Sequence, residues 1–126
     1  MIIKNGFKGS VGTGGCLRGH AAKKSGTDYV MADAVDDVIV GVFNSTELEG
    51  GIVNITVQGE CKVAAGGAFT PGDEVVTDAS GRFIALTAGA DKSRCGMAAE
   101  TGVAPEGGDT PALARVILSL FKPRTA

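Results

Sequence analysis

The chain has 126 residues, with 12 Lys and Arg against 14 Asp and Glu and a net charge of −2. That length holds one small domain plus at most an arm, and the charge supplies no basic face of the kind nucleic acid needs. No apolar run approaches the roughly 20 residues that span a bilayer, and the first residues lack the apolar stretch of a signal peptide, so neither nucleic acid nor membrane is an expected partner.

With five Phe, one Tyr and no Trp, the core must come mostly from Val, Ile, Leu and Ala. Twenty Gly is more than twice the usual share of about 7%, and without a collagen period this means many turns or an extended glycine-rich segment. Cys16, Cys61 and Cys95 are odd in number and widely spaced, which fits reduced thiols packed as small hydrophobes in a cytosol rather than a disulfide framework.

Residues 1–28 carry Gly at 6, 9, 12, 14, 15, 19 and 26 and only scattered apolar residues. A segment this thin in apolar side chains does not build its own core, so it reads as an extended N-terminal arm anchored by Ile2, Ile3 and Phe7. The β-domain then runs over 29–126. Tyr29 to Ala32 is a short strand, and Asp36-Asp37 belongs to a polar break. Val38 to Phe43 is a continuous apolar run, buried on both sides or covered by the arm.

Ile52 to Gln58 alternates cleanly, with Val53, Ile55 and Val57 facing a core and Asn54, Thr56 and Gln58 facing water. Gly59 is expected to break this strand, and Cys61 and Val63 to resume it. Two tight reversals follow. Thr70-Pro71-Gly72-Asp73 has Pro where a turn fixes φ and Gly where a type II turn needs positive φ. Asp78-Ala79-Ser80-Gly81 has a side chain that bonds backbone two residues on, and a glycine for the left-handed position of a bulged hairpin. Arg94 to Ala99 and Leu113 to Phe121 are the last strands, with Ala114, Val116, Leu118 and Leu120 on one side of the second. Short strands at this spacing, with no long amphipathic helix, predict an all-β small barrel or sandwich of antiparallel strands.

Reactive patterns are weak. Ala22-Lys23-Lys24-Ser25 lacks the spacing of a phosphate loop, and Gly12-Thr13-Gly14 is followed by Leu17 where a dinucleotide fingerprint requires Gly. His20 is the only histidine; it has metal-like spacing from Cys16, but two residues fall short of a zinc set, and it reads as an exposed side chain of the arm. Asp36-Asp37 and the pair Glu47 and Glu49 read as solvated loop carboxylates. No Ser or Cys sits in a nucleophile elbow. The expectation is no catalytic residue, no metal and no cofactor. The Gly72-Asp73-Glu74-Val75 turn is also found in biotin- and lipoyl-carrying domains, so a carrier with a modified lysine is the competing reading. Lys62 and Lys92, the latter after Asp91, are its candidate residues.

Several pieces occur in a suggestive order. They are Gly41-Val42, Val53 to Gly59, Val63 to Phe69 with Gly72-Asp73 and Val75, Asp78-Ala79 with Gly81-Arg82, Gly96 to Glu100, and Ala114 to Leu118. Taken together, they resemble the capsid cement or head decoration proteins of tailed bacteriophages. That resemblance implies a non-enzymatic virion protein, made in the bacterial cytoplasm. Such a protein would bind the major capsid protein on the outside of the head, as a homotrimer at threefold and quasi-threefold positions. The arm would add a strand to an exposed sheet edge on a capsid subunit. The segment 101–112 is longer than the turn usual there, and the glycine-rich arm matches no motif of the family.

Overall fold

A computed structural model describes residues 5–33, 38–86, 95–103 and 113–119. Its strands are β1 (Asn5–Ser10), β2 (Ala21–Ser25), β3 (Asp28–Met31), β4 (Gly41–Phe43), β5 (Ile52–Ala64), β6 (Glu74–Thr77), β7 (Phe83–Ala85), β8 (Gly96–Ala98) and β9 (Leu113–Ser119). All belong to one sheet in the order β3-β2-β4-β5-β9-β8-β6-β7, with β1 also on β5, and every strand pair is antiparallel.

The long β5 organises this sheet. Its first half lies between β1 and β4, since Thr56 is opposite both Gly6 and Val42. Its second half pairs with β9 from Gln58 to Ala64. Partners change beside Gly59, whose φ of 100° is a bend that residues with a Cβ rarely adopt. The strand therefore kinks at Gly59 and continues, where an interruption was expected.

Each half of the sheet curls back on itself. Val11, just after β1, bridges Tyr29 of β3, so β1, β5, β4, β2 and β3 close into a first lobe. Ala65, just after β5, bridges Phe83 of β7, so β5, β9, β8, β6 and β7 close into a second. Each seam is a single bridge, so the sheet curls toward closure at these two points. The all-β small-barrel architecture expected from the strand spacing is the one found.

Two apolar clusters fill the lobes. Val11, Cys16, Ala22, Phe43, Val53 and Ile55 form the first, with Tyr29, Met31 and Val40 packed against it. Cys61, Val63, Phe69, Val75, Phe83, Val116 and Leu118 are the larger members of the second, which also takes in Ala21 and Val42. Neighbours in sequence thus face opposite cores: Ala21 against Ala22, and Val42 against Phe43. This shared wall explains the lack of alternation over 41–43, since β4 is buried on both faces. The expected burial of the whole 38–43 run is corrected at its start, where Val38 lies outside the strand and is 80% exposed.

The extended arm read over 1–28 is corrected for the residues described. Residues 5–10 and 21–25 are strands of the sheet, and Val11, Cys16, Ala21 and Ala22 are buried in its cores. Apolar side chains too few to form a core alone are sufficient to complete one whose other wall is β4 and β5. Ile2 and Ile3 lie outside the described residues, as do Asp36, Asp37, Asp91, Lys92, Leu120 and most of 101–112. Thr56 also differs from expectation: it is 1% exposed, and its hydroxyl donates to Asn44 Oδ1 at 2.8 Å.

Candidate functional site

The two turns singled out in the sequence are structural. Asp73 N donates to the Thr70 carbonyl at 3.0 Å, Gly72 has φ of 94°, and Asp73 Oδ2 accepts from Thr70 N at 2.9 Å. In the second turn Asp78 Oδ1 accepts from Ser80 N at 2.8 Å and Arg82 N at 3.0 Å, and Gly81 has φ of 76°. Ala21 N donates to the Gly81 carbonyl at 2.8 Å, so this hairpin tip is docked onto the first lobe. Neither turn lines the groove beside the bend in β5. Phe7 lies in β1, half exposed, with its ring 5.2 Å from that of Tyr29.

A groove of about 240 Å³ opens beside the bend in β5, lined by Arg18, Asn44, Glu60, Cys61, Lys62 and Arg115. Four separate segments build it. Arg18 sits on a tight turn: its own N–H donates to Thr46 Oγ1 at 3.0 Å, and Gly19 follows with φ of 84°. Gly19 is clamped between strands, donating to the Phe43 carbonyl at 2.8 Å and accepting from Ala64 N at 2.9 Å. Asn44 directly follows β4 and is oriented by the Thr56 hydroxyl. Glu60, Cys61 and Lys62 come from β5, and Arg115 lies opposite Lys62 on β9.

The charges in the groove are unevenly paired. Arg115 reaches Glu60 at 3.5 Å and Glu100 at 3.4 Å, and Lys62 reaches Glu100 at 3.2 Å. Glu100 also accepts from Arg115 N at 2.8 Å. That N–H, followed by the Lys62 ammonium, holds the Glu100 carboxyl below its usual range. Two cations and two carboxylates are thereby matched. Among the described residues, the Arg18 guanidinium has no ion pair and the Asn44 side-chain amide donates no hydrogen bond.

His20, read from sequence as exposed, is buried at 4% exposure between the lobes. Burial pushes its pKa down, a hydrogen bond to the Arg18 backbone opposes this, Arg82 adds to the lowering and Asp78 counters it. Its Nδ1 and the Nε of Arg82 have no hydrogen-bond partner among the described residues.

The three cysteines are all buried, and none is joined in a disulfide. Burial raises the Cys16 thiol and pushes Cys95 up to about 11, which keeps both protonated near neutrality. Cys16 Sγ points to the Ser45 carbonyl at 3.4 Å. Among the described residues, no group of three or more His, Cys, Asp or Glu could hold a metal. Lys62 lies inside β5 and is ion-paired, unlike the hairpin-tip lysine of a carrier domain. The groove thus offers charge and hydrogen-bond donors, the equipment of a binding surface. None of its residues belongs to a local motif; the one available hint was the alternation that puts Lys62 on the outer face of β5.

No protein-family model matches the chain, and a search of curated proteins finds no match. Among solved structures, the chain is similar to the N base of head fiber gp8.5 in bacteriophage phi29. The TM-score is 0.64 at 13% identity, with 94% of this chain and 96% of that one covered. At that identity the likeness establishes a shared fold, an all-β barrel-like sheet spanning nearly the full length of both chains.

Proposed function

We propose that this chain is a structural protein of a phage head, one that binds the outer capsid surface and stabilises the lattice without catalysing a reaction. The observation that carries this reading is the fold shared with a phage head-fiber base over 94% of the chain. The ordered motifs from about Val38 to Leu120 that resemble cement proteins support it independently. In this reading the partner is the major capsid protein, and the protein acts as a homotrimer at threefold and quasi-threefold positions of the virion.

The physics is linkage. A ligand that binds only the assembled lattice stabilises it by RT ln(1 + [L]/Kd), about 2.7 kcal/mol per site at a hundredfold excess over Kd. Repeated over many sites, modest affinity resists internal pressure. The earlier picture of a free arm adding a strand to a capsid subunit does not carry over for residues 5–28, whose strands are already paired within the fold. Binding is instead assigned to the outer faces of the folded lobes.

Mixing the purified protein with expanded phage heads tests the reading. Saturable co-sedimentation and a dose-dependent rise in head melting temperature are expected. Absence of both at high protein concentration overturns it.

A further inference from the structure

We infer that the groove at the bend of β5 is a carboxylate-binding site, which receives an exposed Asp or Glu side chain of the capsid surface; this rests on the head-binding reading above.

The argument begins with the local charge. Arg18, Lys62, Arg115 and Glu60 line the groove and Glu100 is paired to Lys62 and Arg115 beside it, so the cluster holds one positive charge in excess on a chain whose net charge is −2. The four groups other than Arg18 neutralise one another through contacts of 3.2–3.5 Å. The surplus therefore resides on Arg18, whose guanidinium has no ion pair among the described residues.

The donors are also arranged in advance. The Thr56 hydroxyl occupies Asn44 Oδ1, which fixes the amide and leaves its NH2 to donate. The turn at Gly19, pinned to both β4 and β5, holds the backbone that carries Arg18. A guanidinium and an amide lining one groove supply the kind of N–H donors that the two oxygens of a carboxylate accept.

Size and charge select the ligand. About 240 Å³ is smaller than the roughly 300–1,000 Å³ of small-molecule pockets and suits a single inserted side chain. A monoanion balances the surplus charge. A phosphate dianion would leave the cluster negative beside Glu60 and Glu100, where like charges repel.

Two measurements test the site, the first of them in the absence of heads. In the first, the protein is titrated with a glutamate capped as its N-acetyl methylamide, at constant ionic strength, and followed by NMR. Saturable shifts of the Asn44 side-chain amide and the Arg18 Nε–H are expected, with the Asn44 shift lost in Arg18→Gln and inorganic phosphate binding more weakly. No shift at Asn44, or tighter binding of phosphate, overturns the inference whatever the protein does with heads.

In the second, wild type and Arg18→Gln are bound to phage heads, native and with surface carboxylates amidated. The variant is expected to bind native heads at least tenfold more weakly and amidated heads equally well. Equal binding to native heads overturns the carboxylate site alone. Failure of wild type to bind native heads overturns the function proposed above and, with it, the capsid as source of the carboxylate.

Discussion

In the second lobe, β5, β6 and β7 are joined through turns whose residues announce their geometry, and Pro71-Gly72 and Asp78-Gly81 adopt the conformations their chemistry favours. In the first lobe, β1 and β2 come from a glycine-rich stretch with few apolar residues, which in isolation resembles a loose tail. Both lobes nevertheless enclose fully buried cores and share the wall made by β2, β4 and β5. The lesson is that glycine content reports on backbone path as well as on disorder. Gly19 allows a left-handed turn where a Cβ would lie 2.7 Å from Ala64 N, and Gly9 leaves room for the ring of Tyr29. The few apolar residues between such glycines suffice because the opposite wall is already apolar.

If the lobes stand or fall together, damage to either core must be felt by both. Phe43 belongs to the first core and Phe83 to the second, and both are fully buried. Phe43→Ala and Phe83→Ala are each expected to cost about 3–5 kcal/mol in denaturant unfolding. Each should retain a single transition seen equally by far-UV circular dichroism and by hydrogen exchange in the other lobe. Two separated transitions would divide the molecule into independent units.

A smaller effect sharpens the contrast between glycines that are spatially required and those that only take a left-handed turn. Gly19→Ala combines positive φ with collision against β5 and is expected to cost about 2 kcal/mol or more. Gly26→Ala, also at positive φ but with open space around it, is expected to cost about 1 kcal/mol. Equal costs would mean that the Gly19 turn is not clamped as described. In the second lobe, Asp78→Ala removes the acceptor for two backbone N–H groups and is expected to cost about 1–2 kcal/mol by thermal unfolding. An unchanged melting temperature would remove Asp78 from the account.

These positions also mark what was legible from sequence. The turn chemistry and the Val53–Ile55 alternation are local, involving residues two to four apart, so the reversals on either side of β6 and half of β5 could be read directly. Thr56 was misplaced because its burial depends on Asn44, 12 residues earlier. His20 was misplaced because its cover comes from the far lobe. The groove was invisible for the same reason: Arg18, Asn44, Lys62 and Arg115 meet only through the registers of β4, β5 and β9. Pairing across a sheet carries no short-range signature.

The smallest effect lies at the seam between lobes. His20 has its pKa lowered in the folded state, where it meets the Arg18 backbone, Arg82 and Asp78. The unfolded chain therefore binds more protons than the folded one below the ordinary value of 6.5. The stability from keeping His20 neutral is complete above that pH and is lost as pH falls through 6.5 toward the lowered folded value. Denaturant midpoints should decline across this window in wild type and decline less in His20→Gln. Identical slopes would show that His20 titrates as freely in the fold as outside it.

Amide hydrogen exchange resolved over residues 5–28 is the most direct test of the claim that the glycine-rich quarter is a wall of the barrel. The account predicts that amides of β1 and β2 bonded to their neighbours exchange as slowly as those of β5, opening only with the whole sheet. Exchange of the segment at the rate of an unstructured peptide, with β5 still protected, would contradict it.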